Sequence, residues 1–170
     1  MKEIQHYIRE INDFPKKGVI YKDISPLLGN IEAMRLAVDK LIANLPHQNI
    51  DKVVGIESRG FFLATLLADR LNAGFVPIRK PGKLPYKTYQ QKYDLEYGHD
   101  QLEIHQDAIQ MGEKVLIHDD VLATGGTAEA AVKLVNRFDA AIVQLNFIIE
   151  IPFLNGREKI KKQQVFVLQD

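Results

Sequence analysis

Five short stretches of this chain are almost wholly apolar and rich in β-branched residues: 52–57 (KVVGIE), 74–78 (GFVPI), 114–119 (KVLIHD), 141–149 (AIVQLNFII) and 164–168 (QVFVL). A strand that is apolar on both faces has to be covered on both, and such strands belong in a parallel sheet between layers of helix. The intervening stretches 61–71 and 127–138 have helical length, with Ala128, Ala131, Val132 and Val135 on one face. Upstream, 31–45 is a third amphipathic helix, with Met34, Ala37, Val38, Leu41 and Leu45 facing inward. The alternation predicts an α/β fold: a central, mostly parallel sheet flanked by helices and built from βαβ units with right-handed crossovers. A chain of 170 residues supplies one such core, so residues 1–170 are expected to form a single domain.

Two regions break the alternation. Residues 12–28 hold two prolines and isolated acids, and predict an irregular flap rather than a core element. Residues 80–105 form a long polar excursion with four tyrosines between two buried strands. Connections of this length are usually functional or mobile. Ligands of open α/β sheets bind beyond the carboxyl ends of the strands, an edge that both excursions could cover.

Charge and composition remove several classes. With 22 basic and 22 acidic residues and no large basic cluster, nothing favours a nucleic-acid partner. The chain has no cysteine, so disulfides, thiolate metal sites and a cysteine nucleophile are excluded. The start, MKEIQHYIREI, lacks the apolar core of a signal peptide, and no run approaches membrane-spanning length. The expectation is a soluble, cytoplasmic protein without membrane contact.

The chemistry concentrates in residues 115–130, VLIHDDVLATGGTAEA. A strand ends near two acids, and a helix begins near Thr127 after the loop Ala123, Thr124, Gly125 and Gly126. Amides at a helix N-terminus are unpaired and attract anions, glycines allow close backbone approach, and the threonines add hydroxyl donors. Asp119 and Asp120 would repel a phosphate but accept hydrogen bonds from vicinal hydroxyls. A ribose 5-phosphate satisfies both halves. Acids that cap a helix beside a plain glycine turn are the simpler alternative. His118, a lone strand histidine, reads as packing. GIESRG (55–60) has P-loop glycine spacing, but Phe61 stands where that motif needs lysine.

The segment VLIHDDVLATGGT resembles the phosphoribosyl diphosphate signature of the type I phosphoribosyltransferases. FPKKGVIYKDISPLL, GIESRGF, IRKPGKLP, YDLEYGHDQLEIHQDAI and FLNGREK extend the likeness over nearly the whole chain, toward members of the family that act on adenine. The resemblance implies the family's fold with an N-terminal hood (about 1–30) and a mobile catalytic loop (about 83–105). It implies transfer of phosphoribosyl from 5-phosphoribosyl 1-diphosphate to adenine, giving AMP and diphosphate, with Mg²⁺ held mainly by substrate and water rather than by protein ligands. It also implies a homodimer.

Carried onto this sequence, the family pattern assigns the 5-phosphate to Ala123, Thr124, Gly125, Gly126 and Thr127, and the ribose to Asp119 and Asp120. Ser58, Arg59, Gly60 and Lys83 would hold diphosphate, with Arg59 also near the base, and Lys80 could be solvated surface charge. Ile20, Tyr21, Lys22 and Ile151 would hold adenine, through backbone groups around Ile20 and Lys22, a Tyr21 stack and apolar packing by Ile151. Glu96 and Tyr97 of LEYG would act from the lid with Arg59 and Lys83 as the catalytic set, Glu96 shuttling a proton for the purine. The sequence departs from the pattern at Lys17, usually proline, and Lys22, usually arginine. A transferase for a 6-oxopurine or orotate, and a non-catalytic phosphoribosyl-diphosphate-binding regulator, remain as alternatives.

Overall fold

The apolar stretches do pair as one parallel sheet. A computed structural model describes residues 4–46, 49–94 and 99–169. Its central strands are β3 (Lys52–Ile56), β4 (Gly74–Ile78), β7 (Lys114–Leu122), β8 (Ala141–Glu150) and β9 (Val165–Gln169), in the order β4-β3-β7-β8-β9 and parallel throughout. Helix α2 (Ile31–Ala43), opened by the Asn30 side chain accepting from Ala33 N at 3.0 Å, and α3 (Gly60–Arg70) enclose one core with Val53, Leu63, Leu67, Leu116 and Ile148. Helix α4 (Gly126–Val135) encloses the other, with Ile56, Ile117, Leu145 and Phe147. On α2 the inward face is Ala33, Ala37, Val38 and Leu41; Met34 is only half-buried, and the helix ends at Ala43, leaving half-buried Leu45 beyond it.

From β3 the chain crosses through α3 to β4 on one side, and from β7 through α4 to β8 on the other. The strand order therefore reverses between β3 and β7. At such a switch point two loops leave the carboxyl edge in opposite directions and open a crevice between them. Here those loops are 57–59 and 123–125.

Both irregular regions are more ordered than their composition suggests. Residues 12–28 belong in part to an antiparallel hairpin, β1 (Arg9–Asn12) with β2 (Ile20–Asp23), followed by the short helix α1 (Ser25–Leu28). Ile24 and Leu27 are buried, so this segment does reach the core. The excursion 80–105 forms a ribbon of β5 (Thr88–Asp94) against β6 (His99–His105). Its legs are bound to the body: Tyr93, Leu102 and Ile104 are buried, Tyr89 meets Phe138 edge-on at 5.4 Å, and Arg79 and Glu103 exchange backbone hydrogen bonds. The tyrosines are thus partly core residues. Glu96 and Tyr97 lie outside the described residues.

Candidate active site

Strand β7 runs through both acids to Leu122, where three residues turn the chain into α4. The first intrahelical amide is Glu129 N, bonded to Gly125 O at 2.9 Å, so helix geometry leaves the amides of Gly126, Thr127 and Ala128 without helical acceptors. No side chain caps this end, and Gly125 turns it in the left-handed region at φ 77°. The cleft in front is lined by Asp119, Ala123, Thr124, Gly125, Thr127 and Ala128. Open amides and hydroxyls thus share one cleft with a carboxylate.

The loop is backed by the chain's own tail. A Cβ on Gly125 would collide with the Gly156 carbonyl, and one on Gly156 with the Ala123 carbonyl, so the two segments touch backbone to backbone. Gly125 therefore serves the protein's own packing as well as any approach by a ligand. Arg157 holds that tail in place through a two-pronged ion pair with Glu150, Nε to Oε2 at 2.8 Å and Oε1 at 2.9 Å. Ile151, half-buried at the end of β8, bonds through its amide to Leu122 O at 2.9 Å and so adjoins the end of β7.

Across the switch point, Ser58 and Arg59 lead into α3 at Gly60, where a Cβ would stand 2.7 Å from Asp119 Oδ1. Only glycine lets α3 start against that carboxylate. Arg59 reaches three ways. Its Nε lies 2.5 Å from Asp120 Oδ2, Nη1 donates to the Tyr21 hydroxyl at 2.5 Å, and Nη2 donates to the Lys22 carbonyl at 2.9 Å. The contact with Asp120 is an ion pair that does not have hydrogen-bond geometry. The guanidinium carbon stands 4.9 Å from the centre of the Tyr21 ring, whose edge contact is Phe14.

Lys22 turns its ammonium to Glu10 across the hairpin while its carbonyl faces Arg59. In an antiparallel strand the N–H and C=O of one residue point the same way, and residues two apart agree. The free edge of β2 therefore presents the backbone groups of Ile20 and Lys22. This edge consists of backbone groups and does not depend on the side chain at 22, and exposed Lys17 lies in the hairpin turn.

Lys83 is not bonded to Ser58–Gly60; its ammonium pairs with Glu57, which also accepts from Arg79 Nε at 3.2 Å and Lys80 N at 2.9 Å. Burial works to raise the Glu57 carboxyl, but these donors overcome it and hold it at about 2. Sequence reading gave Glu57 no part, although an acid one residue past a strand end at the site edge was a signal. Lys80 is more than surface charge, since it is half-buried between Asp100 and Tyr93, with the Tyr93 hydroxyl at 2.8 Å. His118 is fully buried, Nδ1 against Asn146 Oδ1 at 2.7 Å, and burial pushes it down to about 4, which keeps it neutral.

Burial raises Asp119 well above the usual carboxylate range, and the neighbouring Asp120 charge adds to this. Asp120 is also raised by burial, against the pull of Arg59. The ionised Asp119 is therefore a cost to the free protein. A raised folded-state value means the stability is fully present below the unfolded value of about 3.9 and is lost as pH rises through the folded one. Asp119→Asn keeps the acceptor for Asp120 N, at 2.9 Å from Oδ1 in the native protein, and removes the charge. Thermal melts should show a higher midpoint for this variant at neutral pH, by roughly 2–4 °C per kcal/mol relieved. The difference should vanish toward pH 4, and a pH-independent difference would contradict the account.

Among the described residues no three His, Asp or Glu side chains gather into a metal-holding group. Open amides at the start of α4 beside Asp119, with Arg59 against Asp120, would suit a polyphosphate whose magnesium ion keeps substrate and water as ligands. No helix among the described residues is long and apolar enough to cross a membrane.

Comparison with known proteins agrees with this geometry. The phosphoribosyl transferase domain model matches residues 28–169. The adenine phosphoribosyltransferase of Christiangramia forsetii is 65% identical over 163 residues, 96% of this chain and 95% of that protein, and that of Flavobacterium johnsoniae is 57% identical over 96% of each. Among solved structures, adenine phosphoribosyltransferase from Rhodothermus marinus superposes with a TM-score of 0.93 at 50% identity, covering 98% of this chain and 95% of that one. The Saccharomyces cerevisiae enzyme, complexed with an imino-altritol bisphosphate and adenine, gives 0.94 at 39% identity, covering 97% and 96%. A switch-point crevice with an uncapped helix and two acids, together with near full-length identity of this order, places the chain in a known group: it belongs to the phosphoribosyltransferase family, among the adenine phosphoribosyltransferases.

Proposed function

We propose that the chain salvages adenine, transferring phosphoribosyl from 5-phosphoribosyl 1-diphosphate to N9 of the base and releasing AMP and diphosphate. The observation that carries this reading is the cleft shared by Asp119 and the uncapped start of α4, which suits a ribose that bears a 5-phosphate. Amides and hydroxyls of Ala123, Thr124, Gly125, Gly126 and Thr127 hold the phosphate, and Asp119 and Asp120 accept from the ribose hydroxyls. Ser58, Arg59 and Gly60 receive the diphosphate, with Lys83 exchanging Glu57 for the incoming oxygens. Ile20, Tyr21, Lys22 and Ile151 seat the base.

As the C1–O bond breaks, the ribose becomes cationic and the diphosphate gathers charge that Arg59 and Lys83 stabilise. Bound Mg²⁺ would neutralise part of the same charge. Glu96 exchanges a proton with the purine while N9 attacks, and Tyr97 closes beside it to exclude water. One domain performs this, with residues of about 1–30 as hood and about 83–105 as lid, and the protein works as a cytoplasmic homodimer without a nucleic-acid partner.

Changing both Asp119 and Asp120 to Ala tests the reading. Hydrogen bonds to charged groups contribute about 1.5 kcal/mol or more each, so losing two should weaken phosphoribosyl diphosphate binding by about 10²-fold. Titration calorimetry on the folded double variant measures this, and unchanged affinity would overturn the ribose assignment.

A further inference from the structure

Residues 153–159, FLNGREK, are assigned no contact with substrate, yet Gly156 stands directly against the turn 123–125. An added Cβ there would come within 2.2 Å of the Ala123 carbonyl oxygen and 3.0 Å of the Gly125 nitrogen, and both of those residues line the cleft at the start of α4. The next residue, Arg157, grips the Glu150 carboxylate. Its Nε stands 2.9 and 2.8 Å from the two oxygens, and Nη2 stands 2.8 Å from Oε2. Glu150 closes β8 and pairs in register with Leu122, another residue of the cleft lining. The pair thus closes residues 150–157 into a loop with one end on the sheet beside the cleft and the other against the turn 123–125. Exposed ion pairs usually contribute little, but the Glu150 side chain is only 8% exposed, and a forked guanidinium on a nearly buried carboxylate fixes direction as well as distance.

We infer that Arg157 and Glu150 are positioning residues for the 5-phosphate: the pair holds Gly156 against the turn 123–125 and so fixes where the open amides at the start of α4 meet the anion. The inference rests on the assignment of the 5-phosphate to residues 123–127. Neither side chain touches substrate, and both act through the main chain of Gly156. Charge alone predicts the opposite for Glu150. An acid beside an anion site repels the anion, so neutralising it should strengthen binding. As a positioning residue Glu150 should show the reverse sign, because the amide of a glutamine sets a donor against the donors of the guanidinium and loosens the grip.

The test is calorimetric titration of ribose 5-phosphate and, separately, of magnesium diphosphate into the full chain, for native protein, Glu150→Gln, Arg157→Lys and Arg157→Ala. Thermal melts establish that each variant is folded. Affinity for ribose 5-phosphate should fall by about 10-fold in Glu150→Gln and Arg157→Lys, within what a small displacement of binding groups can cost, and by as much or more in Arg157→Ala. Magnesium diphosphate, assigned to the loop across the switch point, should bind all four proteins alike. In steady-state assays the variants should raise KM for phosphoribosyl diphosphate and keep kcat close to native. Native or tighter binding of ribose 5-phosphate by Glu150→Gln overturns the positioning role. So does native binding by Arg157→Lys, which keeps the charge but not the fork. An equal loss for both ligands also overturns it, since that marks a general loosening of the fold. If Arg157→Ala does not fold, the two milder variants decide. Failure of native protein to bind ribose 5-phosphate overturns the 5-phosphate assignment itself, and the inference with it.

Discussion

With phosphoribosyl diphosphate and Mg²⁺ saturating, kcat/KM for adenine is expected to exceed that for hypoxanthine or guanine by roughly 10⁴- to 10⁵-fold, the range reached by sites built around buried hydrogen bonds. Adenine presents an amino donor at C6 and an acceptor at N1. A 6-oxopurine presents an acceptor and an N1–H donor, the reverse. The free edge of β2 offers carbonyl and amide groups at Ile20 and Lys22, and one of these carbonyls is already bonded to an N–H donor, that of Arg59. Facing this edge, a 6-oxopurine sets acceptor against acceptor and donor against donor, and each unpaired buried group costs about 1–3 kcal/mol. No side-chain change at Lys17 or Lys22 alters the polarity of a peptide group. Initial rates of diphosphate release with the three bases measure the ratio, and comparable values for adenine and hypoxanthine would remove the hood from base selection.

Glu96→Gln should lower kcat by about 10²- to 10⁴-fold, the usual loss when general acid or base help is removed. The carboxylate acts while the proton is in transit, so the affinities for adenine and phosphoribosyl diphosphate should be nearly unchanged. Single-turnover rates with binding measured separately make the distinction. A variant with native kcat reduces Glu96 to a spectator on the ribbon.

What the sequence made legible was local. Strand β4 covers residues 74–78 as expected, and the turn from β7 into α4 was readable because strand, acids, glycines and helix start are contiguous. Strand β7 was read short. Its apolar run stops at Asp119, yet its pairing with β8 continues to Val121 with Ile149 and Leu122 with Glu150. Backbone pairing does not end where polarity begins. The hood hairpin was missed because four-residue strands show too little alternation to register beside Pro15 and Gly18. In the ribbon, Tyr89, Tyr93, Leu102 and Ile104 alternate with Gln, Lys and Glu, and the polar half hid the buried half. The site's remaining contacts are distant in sequence: Arg59 meets Tyr21 across 38 residues and Lys83 meets Glu57 across 26. Local pattern carries no information on such pairs.

The contact of Gly125 with Gly156 sets the loop between β7 and α4 directly against main chain. Backbone lies directly behind backbone, so the loop has no room to recede for a larger anion and no slack to take up for a smaller one. For the 5-phosphate we propose to bind there, selection by size would rest on main-chain geometry, with little chain freedom left to lose on binding. The free edge of β2 is held otherwise, by the Arg59 side chain at the Lys22 carbonyl rather than by main chain. One end of the candidate site is thus set by main chain and the other by a side chain.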